Sequence, residues 1–446
     1  MPTLIPVGPY QTREAVEGVP FPYYIIPFDE DGVCVGPLTL AHLLENCSGY
    51  SDIFVFSHGW NNDWSTATKR YEDFIEGFQQ QRKSLKLKMP EGYRPLLVGI
   101  FWPSQALEWF ESERGPKIAG GETNPSSADV QSSKQLLDGI SSQLNASQRP
   151  RFFELAQRDV LSQTEAIEFS QMLAALTSAD DEGIELAAPR AEDLLAAAAS
   201  LTQADSEEPD YDQVGTVGGA SADIQAALSL GDIASALDPR SILKPFTVWQ
   251  MKDRAGKIGG AGVTAMIQGL LSQSSARLHV VGHSYGCKVV MTAVSKLVQG
   301  TRPLRSAVLF EPAVSQYAFA SKIPGRPDMR GGFFGALQRV TNPIVCTYSD
   351  NDVPLTKMFH LALRRRDDLG EGPVMAGGPP SKFAALGGFG PQETDGTSIP
   401  IQDEGQPYVF GGGGRLVAVN GTRTIGGHGD ISNQSTWWLF YSAITA

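Results

Sequence analysis

Apolar residues in this chain gather in seven runs of five or six residues, bounded by polar or glycine-containing turns. They are Tyr23–Phe28, Asp52–Ser57, Leu96–Phe101, Leu278–Gly282, Ala307–Glu311, Ile344–Ser349 and Arg415–Asn420. Short apolar runs of this kind read as buried strands. Between most of them the spacing becomes helical. Thr66–Gln81 places Tyr71, Phe74, Ile75 and Phe78 on one helical face, and Val248–Ser272, Tyr285–Val298, Leu355–Arg366 and Ile431–Ile444 read as helices too. Strands alternating with helices predict an α/β fold, with a mostly parallel sheet covered on both faces.

The rhythm breaks twice. From about 104 to 245 the chain is rich in Ala, Ser, Gln and acids, as in Ala191-Glu-Asp-Leu-Leu-Ala-Ala-Ala-Ala-Ser200. Within it Arg151–Thr164 and Thr164–Leu176 read as helices, and Pro125-Ser-Ser and Ser206–Asp212 as loops. Residues 105–245 are therefore expected to form a helical insertion or cap on a core made of 1–104 and 246–446. A second insertion within that core, 367–410, is Gly/Pro-rich without clear periodicity and is expected to be a long loop. No internal repeat is visible.

A chain of 446 residues is long for one domain but suits an α/β domain with insertions. With 41% hydrophobic and 19% charged residues it can bury a sizeable core. The net charge of −13 is unevenly spread. Residues 104–245 hold 24 acids and 9 bases, and the rest holds 25 acids and 27 bases. The acidity thus belongs to one segment, most simply a solvated face, and argues there against nucleic acid and anionic membrane surfaces. Cys34, Cys47, Cys287 and Cys346 lack metal-ligand spacing and read as buried free thiols, which favours a reducing compartment. The N-terminal sequence has neither a basic region nor a long apolar one, and no run of about 18 apolar residues occurs. The expectation is no transmembrane segment, and a cytoplasmic protein or one exported without a conventional signal peptide.

The chemistry gathers around Gly282-His-Ser284-Tyr-Gly286, where an apolar strand runs straight into a helix pattern. Gly-x-Ser-x-Gly in that context predicts a nucleophile elbow: a sharp turn that holds the hydroxyl off the strand tip. A serine needs a base, and the base needs an orienting group, both expected downstream at strand ends. Two histidines lie downstream. His360 falls inside a predicted helix, and His428 falls in Thr-Ile-Gly-Gly-His-Gly-Asp-Ile after the last strand; His428 is the better placed base. For the acid, Tyr-Ser-Asp350-Asn-Asp352-Val-Pro offers two candidates. Asp352 is preferred, Asp350 being able to cap the turn, and Glu311 after the preceding strand stays open, as does metal binding by the aspartate pair. An oxyanion requires donors: the N–H of Tyr285 and that of Trp60, in Ser57-His58-Gly59-Trp60-Asn61-Asn62, are the candidates. His58 reads as a hydrogen bonder bracing its loop, His283 and His279 as structural, and His42 has no visible role.

With these residues in view the chain resembles the α/β-hydrolases, and among them a bacterial group that pairs a His-Gly-aromatic-Asn loop with Trp-Pro-Ser after the next strand. Here these are His58-Gly59-Trp60-Asn61 and Trp102-Pro103-Ser104, and the likeness covers about 50–104, 246–360 and 415–445. The resemblance implies a Ser284, His428, Asp352 triad with no cofactor and no metal. The chain departs from the pattern in its acidic insertion, since lids in the family more often follow the sixth strand. The expected activity is hydrolysis of a small-molecule or lipid carboxylic ester through an acyl-serine. The competing expectation is a catalytically silent member of the fold that binds a ligand or protein.

Overall fold

The computed structural model describes residues 5–16, 18–104, 127–178, 188–206, 237–326, 328–363, 379–410 and 415–446. Their centre is a nine-stranded sheet. In chain order the strands are β1 (Gln11–Val16), β2 (Val19–Pro27), β3 (Asp52–Ser57), β4 (Pro95–Phe101), β5 (Arg277–His283), β6 (Ser306–Phe310), β7 (Ile344–Tyr348), β8 (Thr397–Pro400) and β9 (Leu416–Asn420). The spatial order is β1-β2-β4-β3-β5-β6-β7-β9-β8. Only β1 and β2 pair antiparallel; every other pairing is parallel. The fold is α/β, as the alternation predicts.

β5 is the middle strand, with Ser57 of β3 beside its Gly282 and Phe310 of β6 beside its His283. Parallel pairing brings the C-terminal ends of β3, β5, β6, β7 and β9 to one edge, the edge at which open α/β sheets bind their ligands. Alternation along the strands supplies two cores. Ile53, Val55, Val280 and Leu309 face one side, where Phe246, Trp249 and Ile267 pack. Phe54, Phe56, Val281 and Phe310 face the other, against Phe74, Phe78 and Phe440.

The insertion's described helices, Ser127–Gln143, Arg149–Ala156, Gln163–Ala174 and Ala191–Ser206, place Ile140, Phe152, Phe169, Leu194 and Leu201 in the first of these cores. The helix predicted over Arg151–Thr164 ends at Ala156. Ser162 is the reason: with Glu165 it forms a capping box that starts the next helix. The helix predicted from Val248 begins at Pro239, capped by Asp238, runs through Pro245 to Ile258, and continues through a π-turn into Thr264–Gln273. The loop expected over 367–410 contains β8, a short exposed edge strand whose Thr-Ser-Ile-Pro carries no apolar signal, and a helical turn at Leu386–Phe389. β1 and the helix Pro37–Asn46 were not legible as periodic patterns. Of the loops predicted at 125–127 and 206–212, Ser127 and Ser206 are terminal residues of helices, and the rest lie outside the described residues. No described helix is long and apolar enough to cross a membrane.

The C-terminal helix, Gln434–Thr445, docks on the helix Trp64–Leu85 through a glycine. A Cβ on Gly77 would sit 1.8 Å from the Trp437 ring. Ordinarily Gly→Ala inside a helix stabilises by about 0.5–1 kcal/mol. At Gly77 the sign should invert, costing about 1–3 kcal/mol as overpacking. Gly139, in the helix Ser127–Gln143 with nothing within 4 Å of its Cβ position, should show the ordinary gain. Urea midpoints of Gly77→Ala and Gly139→Ala moving in the same direction would contradict this packing.

Candidate active site

Ser284 follows β5 with φ 55° and ψ −127°, and the helix Tyr285–Lys296 begins at the next residue. A non-glycine residue reaches that conformation only when its surroundings enforce it. Here the Ser284 N–H donates to the Phe310 carbonyl at 3.1 Å, and the Ser284 carbonyl accepts from the Ala313 N–H at 3.2 Å. The flanking glycines are required by proximity. A Cβ on Gly286 would lie 2.1 Å from the Ser57 carbonyl oxygen, and one on Gly282 would lie 2.6 Å from Cα of Cys287. From the other side, a Cβ on Gly59 would lie 2.7 Å from Cβ of Ser284. The loop after β3 therefore runs directly over the serine.

The sequence-predicted serine, histidine and acid meet. His428 Nε2 lies 2.8 Å from Ser284 Oγ, and its Nδ1 lies 2.7 Å from Asp352 Oδ2. Asp352 has no exposed surface, while 17% of the His428 side chain is exposed. The second oxygen of Asp352 accepts from the Leu355 N–H at 3.0 Å. This carboxylate thus accepts two hydrogen bonds and fixes the imidazole with its Nδ1 proton inward. Asp350 is exposed, and its N–H donates to Thr422 Oγ1 instead. His360 sits in the helix Phe359–Leu363, away from the serine's hydrogen bonds.

Short polar side chains clasp the loops around this chain of bonds. Ser349 Oγ donates to the Ile425 carbonyl and Asn351 Nδ2 to the carbonyls of Thr422 and Ile425, tying the end of β7 to the segment that leads to His428. Asp430 accepts from the Gly426 N–H and from Asn433 Nδ2, which shapes the turn bearing His428. His283 Nε2 donates to the His428 carbonyl at 2.6 Å. Burial pushes the His283 pKa well below the histidine range, helped by Arg70, so the ring is neutral.

The loop after β3 is braced by what Trp-Pro-Ser supplies. His58 is fully buried and stacks on Trp102, centroids 5.4 Å apart and planes within 7°. Its Nδ1 donates to the Gly59 carbonyl at 2.8 Å, and its Nε2 accepts from the Trp102 N–H at 3.3 Å. Burial pushes the His58 pKa down to about 3, which this neutral tautomer requires. Ser104 accepts from the Asn62 N–H and donates to its carbonyl, while Asn62 Nδ2 donates to the carbonyls of Gly59 and Trp60. Sequence reasoning noted the motifs but missed the roles of Asn62, Trp102 and Ser104. His42, without a role in the sequence, hydrogen-bonds the Tyr24 hydroxyl at 2.9 Å.

Ser284 and His428 line a small, narrow cavity walled by Trp60, Tyr285, Val248, Leu355 and Phe359. Both residues expected to offer oxyanion donors, Trp60 and Tyr285, line it, and among the described residues no Asp, Glu, Lys or Arg does. No protein-family model, curated protein or solved structure matches the chain.

His283, Glu311 and His428 offer ligand-type atoms within 4.8 Å of one another, but both ring nitrogens of His428 are already engaged by Ser284 and Asp352. At the opposite end of β5 stands a second Ser-His-Asp chain. His279 Nδ1 lies 2.7 Å from Ser306 Oγ, and its Nε2 lies 3.1 Å from Asp52 Oδ1. All three are buried, and Arg277 grips both oxygens of Asp52 at 2.7–2.8 Å. Burial opposes the charge on Asp52, but the bonds from His279, Arg277 and Ser51 outweigh it and hold the pKa at about 2.

A carboxylate depressed in the folded state contributes stability above its unfolded pKa of about 4 and loses it as pH falls through the folded value. Asp52→Asn should therefore cost about 2 kcal/mol at pH 7. The gap to the native chain should narrow between about pH 4 and pH 2. Urea denaturation across that range checks it, and a gap that widened on acidification would refute the assignment.

Proposed function

We propose that the chain is a serine hydrolase of the α/β-hydrolase kind, acting on carboxylic esters through an acyl-serine. The observation that carries this reading is the continuous hydrogen-bond chain from Ser284 through His428 to Asp352, ending at an apolar cavity. His428 Nε2 would take the Ser284 proton as Oγ attacks the ester carbonyl carbon. The backbone N–H groups of Tyr285 and Trp60 would stabilise the oxyanion. The imidazolium, held by the Asp352 anion, would then protonate the departing alcohol. Water would repeat the sequence in reverse and free the acid. The cycle is complete with the chain's own residues.

The cavity narrows the substrate class. Val248, Leu355 and Phe359 would receive an uncharged, apolar acyl group, and a thioester, lactone or lipid ester would be attacked by the same machinery. Val248 belongs to the helix Pro239–Ile258, which carries the chain out of the acidic insertion.

A fluorophosphonate probe should label the native chain and leave Ser284→Ala unlabelled. Ser284→Ala and His428→Ala should each lower kcat on p-nitrophenyl esters by about 10⁴-fold or more, with little further loss in the double variant. A folded native chain that neither labels nor hydrolyses any ester would refute the reading and favour a silent binding protein. Val248→Ala and Phe359→Ala should shift the acyl-length optimum upward, changing the ratio of kcat/KM for longer over shorter chains by about tenfold. An unaltered length profile would remove these side chains from the acyl pocket.

A further inference from the structure

Glu311 stands at the site, yet the hydrogen-bond chain through His428 does not use it. It follows β6 directly, at φ 44°, with its N–H donating to Thr347 Oγ1 at 2.9 Å. Its side chain is fully buried, and neither carboxyl oxygen has a hydrogen-bond partner among the described residues. One carboxyl oxygen, one ring nitrogen of His283 and one of His428 all lie within 4.8 Å of each other. The backbone has an evident purpose, because the turn at Glu311 joins Phe310 and Ala313, the two residues that hold Ser284. Glycine would make that turn with less strain. The carboxyl is what lacks an explanation, since a buried polar group without a partner is destabilising.

The titratable and charged groups around it are the carboxyls of Asp352 and Asp430, the Arg70 guanidinium, the buried Cys287 thiol, and the rings of His283 and His428. Two neighbouring buried carboxyls resist ionising together. Asp352 is the better supported anion, with the Leu355 N–H on one oxygen and His428 Nδ1 on the other. Glu311 has burial and two acidic neighbours against it, opposed by Arg70 alone, and its pKa is pushed well above the carboxylate range. The two carboxyls share one negative charge, and the two hydrogen bonds at Asp352 favour that charge there.

We propose that Glu311 is a second positioning carboxyl for His428, held in reserve: protonated while Asp352 is charged, and ionising to support the imidazole when that charge is removed. On ionisation the Glu311 hydroxyl gives its proton to solvent. The carboxylate, turning within the short gap to the ring, accepts from His428 Nδ1–H. The kinetic consequence rests on the serine-hydrolase reading, whereas the ionisation does not.

The test uses Asp352→Ala with and without Glu311→Gln. Alanine is chosen because the Leu355 N–H would hold an asparagine oxygen and turn its NH₂ onto Nδ1, blocking the proton that Glu311 must receive. The loss of kcat from Glu311→Gln should be about tenfold larger in the Asp352→Ala background than in the native chain, the ordinary size of coupling between neighbours. Residual turnover of Asp352→Ala should rise with pH, and that rise should vanish in the double variant. Equal losses in both backgrounds would mean Glu311 is only structural and would overturn the proposal. Two spectroscopic readings need no turnover. The far-downfield imidazole Nδ1 proton should persist in Asp352→Ala at alkaline pH and be lost in the double variant. The infrared band of a protonated carboxyl should be present in the native chain at neutral pH and absent from Glu311→Gln. If Asp352→Ala does not fold, the infrared comparison decides alone, and a native chain without that band overturns the inference. Should the native chain hydrolyse nothing while both signals behave as stated, the hydrolase reading falls and the reserve acid stands.

Discussion

The backbone of Ser284 is the constraint on which the rest of the site depends. Holding a serine at φ 55° costs on the order of 1–3 kcal/mol, and the conformation survives only because its surroundings over-determine it. Its N–H is taken by Phe310 and its carbonyl by Ala313, so the chain leaving β6 must wrap around it. Making that wrap puts Glu311, between them, at positive φ as well. Two strained residues therefore sustain each other across the β5–β6 pair, and neither can relax without releasing the other. Gly286 and Gly59 follow from the same demand: the backbones ending β3 must come within van der Waals contact of the turn, which a side chain at either glycine would prevent.

Once the hydroxyl is fixed, its partners must be brought to it from the ends of strands that lie two and three places away in the sheet. Apolar packing cannot do this, because it sets the distance between layers but not the direction of a loop at the sheet's edge. Directional bonds do it instead. Ser349 and Asn351 pin the segment before His428, His283 pins the His428 carbonyl, and Asn62 with Ser104 pins the loop of Gly59 and Trp60. Each is a small side chain bonded mainly to main chain, which costs little rotamer entropy and leaves few buried polar groups unmatched. The Glu311 carboxyl differs from the other groups at the site in that both of its oxygens are buried without a partner among the described residues, and this is why it invites a functional explanation.

What could be read in the sequence follows the same division. Strands with two buried faces write themselves as apolar runs, so β3, β4, β5, β6, β7 and β9 were legible to within a residue or two, and the parallel sheet followed from the helices between them. β1 and β8 lie at the two edges of the sheet, where little burial leaves no pattern. Ser284 was legible because a turn that severe needs glycines close by in sequence. His428 and Asp352 were legible as loop residues after strands, with Asp352 preferred over Asp350 only on the ground that Asp350 could cap the turn. The two differ in direction across a tight turn, one facing solvent and the other buried against an imidazole 76 residues further on. The contacts of Asn62 with Ser104 and of His283 with His428 span 42 and 145 residues, and no local period records them.

Residue type alone does not make a site, and this chain supplies its own control. A Ser-His-Asp hydrogen-bond chain stands near each end of β5, with distances of 2.7–2.8 Å at Ser284 and 2.7–3.1 Å at Ser306. At the Ser306 end the serine lies within a strand and is bonded through Nδ1 of His279. Arg277 and Ser51 compete for the aspartate, and every member is buried. No ligand could reach that hydroxyl, and the arrangement is spent on joining β3, β5 and β6 at their N-terminal ends. At the Ser284 end the serine has left the strand, Nε2 rather than Nδ1 faces it, and the hydroxyl opens on an apolar cavity. The difference between the two is a backbone angle and a cavity, not a set of side chains. The turn at Ser284, more than the identity of its partners, is therefore what gives the functional reading its force.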